Sequence, residues 1–275
     1  MLKKELDMVK IASQTLTGTS EKRLLEFLTS RIAQGKKTFV VTPNPEFFVF
    51  ARHNPWFEAI LKKADVVIPD GIGLVWASRF LGQPIKERIS GTDLMEKLCR
   101  KAAKKKWSVY LLGGEAGVAK KTLVVLKKRY PGLQGWADSG PRIDILGSKA
   151  KEVAPANKSR AEGEAVYLNE VRAGATSIRK INSKKPDLLF VAFGMGKQEK
   201  FITDNWGKLK VTLAMGIGGA FDYLSGQVPR APEWVREAGL EWLFRLFRQP
   251  WRWKRQLRLI EFVWLVLKQR FSFKQ

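Results

Sequence analysis

P-D-L-L-F-V-A-F-G-M-G-K-Q-E, residues 186–199, decides the fold. After Asp187, five apolar residues from Leu188 to Ala192 run without alternation toward the glycine turn Gly194-Met195-Gly196. A short apolar run bounded by turn signals reads as a strand buried on both faces. Lys197, Gln198 and Glu199 follow the turn, at what would be the carboxyl end of a parallel strand. Open α/β sheets bind ligands at that edge. Taken alone, the stretch also fits an ordinary strand-to-helix turn.

The same alternation extends to both sides. Residues 20–33 predict an amphipathic helix, with Leu24, Leu25, Phe27, Leu28 and Ile32 at helical spacing and Gly35 as the stop. T-F-V-V-T (38–42) reads as a strand ending in P-N-P-E-F. Pro45 opens a helix running to Leu61, with Glu46 in the first turn, where the macrodipole favours acid. A-D-V-V-I-P (64–69) is a short strand broken by D-G-I-G (70–73). Thr92 or Asp93 could cap a helix from Leu94 to Lys105. W-S-V-Y-L-L-G-G (107–114) is a strand entering a glycine turn, and 117–130 a helix closed by Pro131-Gly132. After the opening stretch come a helix from Glu199 to Trp206, a strand at 211–216 and the loop 216–223. Together these predict an α/β fold: a mostly parallel, Rossmann-like sheet flanked by helices. Residues 134–183 stand apart as polar and rich in small residues. They read as a long loop with one helix at Val166–Ile181.

From Pro229 the character changes. The remainder holds half of the ten tryptophans and a dense set of arginines, with Pro250 dividing it into two helices. Arg245, Arg248, Arg252, Arg255 and Arg258 recur at spacings of three and four and would line one helical face, subject to the break at Pro250. An aromatic, basic amphipathic helix reads as lying in a membrane interface; the alternative is an apolar face packed on the sheet. The expected organisation is therefore a core of residues 1–228 and a helical amphipathic appendage of residues 229–275.

Lys and Arg number 50 against 26 Asp and Glu, a formal net charge of +24. That balance points to an anionic partner: nucleic acid, an acidic membrane surface or phosphate-bearing substrates. One cysteine, Cys99, and one histidine, His53, leave no disulfide framework and no Cys/His zinc cluster. A reducing, cytosolic setting follows. Cys99 sits in a helical pattern as a small apolar residue, and His53 reads as structural or a surface residue. Acid–base chemistry falls to carboxylates, Lys or Tyr. The N-terminal residues lack an apolar core of signal-peptide length, and no stretch reaches the roughly eighteen apolar residues needed to span a bilayer.

The strand ends carry the candidate chemistry. They are Thr42–Glu46, Asp70–Gly73, Gly113–Gly117, Gly194–Glu199 and Gly216–Asp222, which a parallel sheet would bring to one edge. Gly113-Gly114-Glu115-Ala116-Gly117 fits a phosphate cradle at a helix start, or a plain tight turn. It imitates a dinucleotide fingerprint only weakly, and a P-loop is absent. Asp70 could be a base, a metal ligand or a turn former. Arg88 has the planar fork that holds phosphate, or is an ordinary surface arginine.

The blocks T-P-N-P-E (42–46), D-G-I-G (70–73), E-R-I-S-G-T-D-L (87–94), L-L-G-G-E-A-G-V-A (111–119), 186–199, G-I-G-G-A-F-D-Y-L-S-G (216–226) and 228–246 together resemble the WecG/TagA/CpsF family of bacterial glycosyltransferases. The resemblance covers nearly the whole chain. It implies a compact α/β fold of the GT-E type with a C-terminal appendage. It also implies transfer of N-acetylmannosamine, with inversion, from its UDP donor to the C4 hydroxyl of N-acetylglucosamine on undecaprenyl diphosphate. The product would be a β-1,4-linked unit of wall teichoic acid or a related surface polymer. No metal and no cofactor are expected. Asp70 matches the general base, and Thr42 and Asn44, beside Glu46, match residues of the sugar pocket. Arg88 and Gln198 match residues near the donor diphosphate and sugar, and Arg245, Arg252 and Arg255 match appendage arginines that hold phosphates. Asp222 and the Gly113-Gly114 turn are the nucleotide candidates. The implied setting is cytoplasmic, peripheral on the inner face of the cell membrane, with the tail on anionic lipid. Oligomerisation stays open. The length of 134–183, without a strand and Gly-Tyr turn, departs from the family pattern. Relatives that use the uronic acid form of the sugar leave the donor open. A nucleic-acid-binding protein is the competing class, although no RRM, KH or helix-turn-helix pattern is visible. An NAD-dependent oxidoreductase would rest on Gly113–Gly117 alone.

Overall fold

A computed structural model describes residues 6–12, 14–141, 160–250 and 253–272, with the side chains of 160–171, 254 and 255 set aside. The chain opens with β1 (Met8–Ile11), β2 (Gln14–Thr17), α1 (Glu21–Ala33), β3 (Thr38–Val41), α2 (Pro45–His53), α3 (Pro55–Lys63), β4 (Val66–Val67) and α4 (Ile72–Phe80). It continues through α5 (Gly91–Lys105), β5 (Ser108–Gly113), α6 (Val118–Arg129), β6 (Gln134–Asp138), α7 (Arg160–Lys184) and β7 (Leu188–Ala192). Last come α8 (Lys197–Asn205), β8 (Leu213–Gly216), α9 (Ala220–Leu224), α10 (Glu233–Glu237), α11 (Glu241–Arg248) and α12 (Trp253–Ser272). The expected α/β class is correct: β4 lies beside β3, and β8, β7, β5 and β6 follow one another in that order. The pairs β3–β4, β5–β6, β5–β7 and β7–β8 are all parallel.

Two compact units divide the chain, one of residues 1–98 with 228–275 and one of 99–227. In the second unit β7 is buried along its whole length, as its unbroken apolar run requires. Each such Leu, Val or Phe contributes about 1.5–3 kcal/mol relative to exposure. Asp187 sets the register at the amino edge. Its carboxylate accepts from the Ser108 N–H at 2.7 Å, and its carbonyl accepts from Leu213 N–H at 2.9 Å. The polar stretch expected as a loop begins instead with strand β6, paired with β5 through Val109↔Gly135. A Cβ at Gly135 would lie 2.7 Å from both Val109 Cγ2 and Val109 O, so a glycine that reads as a breaker is what lets the strands close up. The helix expected at 166–181 is longer, Arg160–Lys184, and residues 142–159 lie outside those described.

In the first unit Ser20 caps α1, accepting from Arg23 N–H at 3.4 Å, and the helix buries Leu24, Leu28 and Ile32. The single helix expected from Pro45 to Leu61 is two, because Pro55 cannot continue α2 and serves as the first residue of α3. Helix α5 starts three residues before the expected Leu94, at Gly91. The hairpin β1–β2 was not foreseen; its turn carries Ala12 at φ 45°, with no glycine to announce it.

The appendage expectation can be followed in part. Pro250 does separate two helices, α11 and α12. Helix α12 packs on helix α2, with Phe262 and Phe48 edge to face at 5.6 Å. Gln269 ties it to the hairpin by accepting from Ala12 N–H at 2.6 Å and donating to Lys10 O at 3.2 Å. His53 Nε2 meets Glu261 Oε1 at 2.7 Å. The opposite side of α12 leaves Trp253, Leu257, Ile260, Trp264, Leu267 and Phe271 exposed at spacings of three and four. Among the described residues no helix is long and apolar enough to cross a membrane.

Candidate active site

Each unit contributes a separate set of candidate groups. In the first, the T-P-N-P-E and D-G-I-G loops are tied together. Asp70 N–H donates to Pro43 O at 2.9 Å, and Asn44 Oδ1 caps α2 by accepting from Phe47 N–H at 3.4 Å. Gly71, at φ 125°, makes a turn that residues with side chains rarely adopt. Thr42 is buried at the end of β3, and Glu46 is half-buried in the first turn of α2. A Cβ at Gly91 would fall 3.2 Å from Asp70 Oδ2 and 3.1 Å from Thr42 Cγ2, so Gly91 marks where these two side chains approach each other.

Asp70 is half-buried and accepts one hydrogen bond, from Gly91 N–H to Oδ2 at 3.1 Å. Among the described residues its Oδ1 has no hydrogen-bond partner. Burial pushes its pKa up to about 6, against the Gly91 N–H and the positive charge of Arg88, which pull it down. A carboxylate with a free oxygen and a pKa close to neutrality is fitted to take a proton.

Around it lies an ion-pair network that joins the C-terminal segment to this unit. Arg230 grips Asp93 with both arms, at 2.6 and 3.0 Å, and reaches Glu241 at 3.4 Å. Arg236 stands 3.8 Å from Asp93. Burial would raise the Asp93 carboxyl, yet Arg230 first, then Arg236 and Ser90, hold it below its usual range. Arg88 donates to Arg236 O at 3.0 Å, and its guanidinium is 3.9 Å from Glu241. Farther along, Arg245 Nε donates to Gln249 Oε1 at 3.4 Å. Arg252 lies outside the described residues, and so does the side chain of Arg255.

In the second unit the loops after β7 and β8 meet. Gln198 Oε1 accepts from Gly218 N–H at 2.9 Å, and Gln198 Nε2 donates to Glu199 Oε1 at 2.7 Å. Glu199 Oε2 accepts from Gly196 N–H at 2.7 Å. Gln198 is 1% exposed and Glu199 0%. Gly113 and Gly114 turn the chain out of β5 at positive φ, with Gly114 N–H on Ala192 O at 2.9 Å. A Cβ on Gly113 would sit 2.7 Å from Ala192 O, so close approach to β7 is itself reason for a glycine there. Asp222 is half-buried on α9, which Thr122 anchors by donating to Phe221 O at 3.1 Å.

A family model described as "Glycosyl transferase WecG/TagA/CpsF family" matches residues 9–275. The chain belongs to this family. It is 36% identical over 242 residues, 87% of the chain and 82% of the relative, to a protein of Bacillus spizizenii named N-acetylglucosaminyldiphosphoundecaprenol N-acetyl-beta-D-mannosaminyltransferase. Proteins of the same name in Bacillus subtilis and Staphylococcus aureus are 33% and 30% identical, covering 84% and 80% of the chain and 79% and 75% of the relatives. This member of the WecG/TagA/CpsF family is therefore a glycosyltransferase.

The structure thus brings Thr42, Asn44, Asp70 and Arg88 into one unit and Gln198, Asp222 and the Gly113-Gly114 turn into the other. The partners of Asp93, namely Arg230 and Arg236, were not singled out from sequence. Neither was Glu241. Glu199 was expected as a loop residue and the start of a helix, which begins instead at Lys197; an acid three residues into a helix after a turn is half of a capping box.

Proposed function

We propose that the chain transfers N-acetylmannosamine from UDP-N-acetylmannosamine to the C4 hydroxyl of N-acetylglucosamine on undecaprenyl diphosphate. The observation that carries this reading is the half-buried Asp70 carboxylate, with one oxygen free and its pKa at about 6, in a chain of this family. The names of the relatives supply the sugar and the acceptor. In the reaction the acceptor C4 oxygen attacks the anomeric carbon from the face opposite UDP. The bond from that carbon to the phosphate oxygen breaks, UDP leaves with the electron pair, and Asp70 takes the hydroxyl proton. One displacement inverts the centre and requires one base and no nucleophilic side chain. Thr42, Asn44 and Glu46 are assigned to the sugar pocket, and Arg88, with Arg245, Arg252 and Arg255, to diphosphate charge. Asp222 and the Gly113-Gly114 turn are assigned to the nucleotide. The exposed apolar stripe of α12 supports a peripheral site on an anionic membrane, where the lipid acceptor resides. The product is a linkage unit for wall teichoic acid or a related polymer.

The test is UDP release from purified chain with UDP-N-acetylmannosamine and a lipid-diphosphate N-acetylglucosamine acceptor. Acceptor-dependent turnover with a β-1,4 disaccharide product is expected. Turnover only with the uronic acid donor would replace the sugar assignment, and no turnover with any UDP sugar would overturn the reading.

A further inference from the structure

The hydrogen-bond chain between the β7 and β8 loops has a fixed polarity. At one end Gly196 N–H points at Glu199 Oε2, 2.7 Å away, and at the other Gly218 N–H points at Gln198 Oε1, 2.9 Å away. A backbone N–H can only donate. Gln198 must therefore present its oxygen to Gly218 and its NH2 to Glu199, where the contact is 2.7 Å. Glu199 is left facing a donor on each side, so it must accept twice. An ionised carboxylate does this. A glutamine puts an NH2 in place of one oxygen and leaves two donors facing each other at one of the three contacts, and a protonated glutamate adds an O–H donor and weakens one oxygen as an acceptor.

Among the described residues the pair is tightly enclosed. Gln198 and Glu199 are 1% and 0% exposed. A Cβ on Gly216 would lie 2.7 Å from Gln198 Nε2 and 2.9 Å from Glu199 Oε1, so the end of β8 closes over the pair. Strands β7 and β8 carry no titratable residue. On α8 itself the others are Lys197 and the surface pair Lys200–Asp204 at 2.7 Å, and α9 adds Asp222 and Tyr223.

We propose that Glu199 is a positioning residue for glycosyl transfer: as a double acceptor it orients the Gln198 amide, which holds the Gly216–Gly219 loop by the Gly218 N–H. This rests on the glycosyltransferase reading for its activity readout alone; the loop readout is independent of it. Burial pushes the Glu199 pKa up to about 7, against the Gln198 amide and the backbone N–H groups. The lock therefore forms as pH rises through neutrality and is lost below it.

The test compares Glu199→Gln with the exchanged pair Gln198→Glu/Glu199→Gln. In the exchanged pair Gly218 N–H meets a carboxylate, that carboxylate accepts from the new amide, and the amide oxygen accepts from Gly196 N–H. All three contacts regain their polarity. The readouts are deuterium uptake at the Gly218 amide, corrected for intrinsic exchange, and kcat for UDP release. Glu199→Gln is expected to speed Gly218 exchange and lower kcat, each about tenfold, as for one broken buried hydrogen bond. The exchanged pair is expected to restore Gly218 protection to within about threefold of the parent. Parent-like protection in Glu199→Gln, or equally fast exchange in both variants, would overturn the proposal. If Glu199→Gln fails to fold, a folded and protected exchanged pair supports it, and failure of both overturns it. Restored protection with no turnover by any form, parent included, would keep the lock and remove the glycosyl-transfer reading.

Discussion

Asp70 and Glu199 are two carboxylates that burial pushes in the same direction, to about 6 and about 7. What remains unbound at each separates them. Asp70 holds one backbone N–H on one oxygen, is half-buried, and keeps its second oxygen free among the described residues. Glu199 is 0% exposed, with both oxygens engaged by donors 2.7 Å away. A raised pKa marks both, so it does not by itself distinguish a reacting group from a positioning one. Unused hydrogen-bonding capacity is the proposed distinction.

The sharpest way to break this contrast is to remove each charge. Asp70→Asn is expected to lower kcat for UDP release about a thousandfold, within the range for loss of a general base. A drop no larger than that of Glu199→Gln would erase the distinction. Next in size are the two glycines that crowd these carboxylates. Gly216→Ala forces a Cβ to 2.7 Å from Gln198 Nε2 and should destabilise the chain by about 1–3 kcal/mol in denaturant titration. Gly91→Ala meets its neighbours at 3.1–3.2 Å and should cost less than the lower end of that range. Equal losses would show that the Glu199 side is no more tightly packed than the Asp70 side.

The contrast was only partly legible in the sequence. Leu188–Ala192 announced β7 because a strand covered on both faces needs an unbroken apolar run. Strand β6, Gln134–Asp138, stayed hidden because it is only partly buried and contains the glycine its pairing requires. Asp70 stood out between a proline and a glycine turn, and the resemblance gave it a role. Glu199 did not stand out, because its meaning depends on two backbone donors, Gly196 and Gly218, that only the folded loops place around the pair. Arg230 and Asp93 are 137 positions apart, a separation over which no local pattern reports a contact.

That ion pair gives a third test. Arg230→Met leaves Asp93 without its two-armed partner and should destabilise the chain by about 2 kcal/mol, as for loss of charged hydrogen bonds. The Asp93 carboxyl should titrate higher in the same variant. No loss would mean that Glu241 and Arg236 suffice to hold the C-terminal segment.

Stability against pH gives a fourth. Asp70 and Glu199 have folded-state pKa values above their unfolded ones, so their contribution is fully present below the unfolded values. It is lost as pH rises through about 6 and about 7. Asp93, held low, contributes in the opposite sense, its share being lost as pH falls. Asp70→Asn and Glu199→Gln should each flatten the decline in melting temperature between about pH 4 and pH 7, the span from the unfolded to the folded titrations. An unchanged slope in both would show that neither group titrates there. The smallest expected effect is that of Ile260→Ser on α12, which should change stability by less than about 0.5 kcal/mol. It should still weaken binding to anionic vesicles, since Ile260 is 69% exposed.

The most direct test of Asp70 as the base is the pH dependence of kcat for acceptor-dependent UDP release, in the parent and in Arg88→Met. The Arg88 charge holds the Asp70 pKa down, so an acidic limb near 6 should move upward when that charge is removed. A limb that stays in place, or a flat profile across that range, would contradict Asp70 as the group that takes the proton.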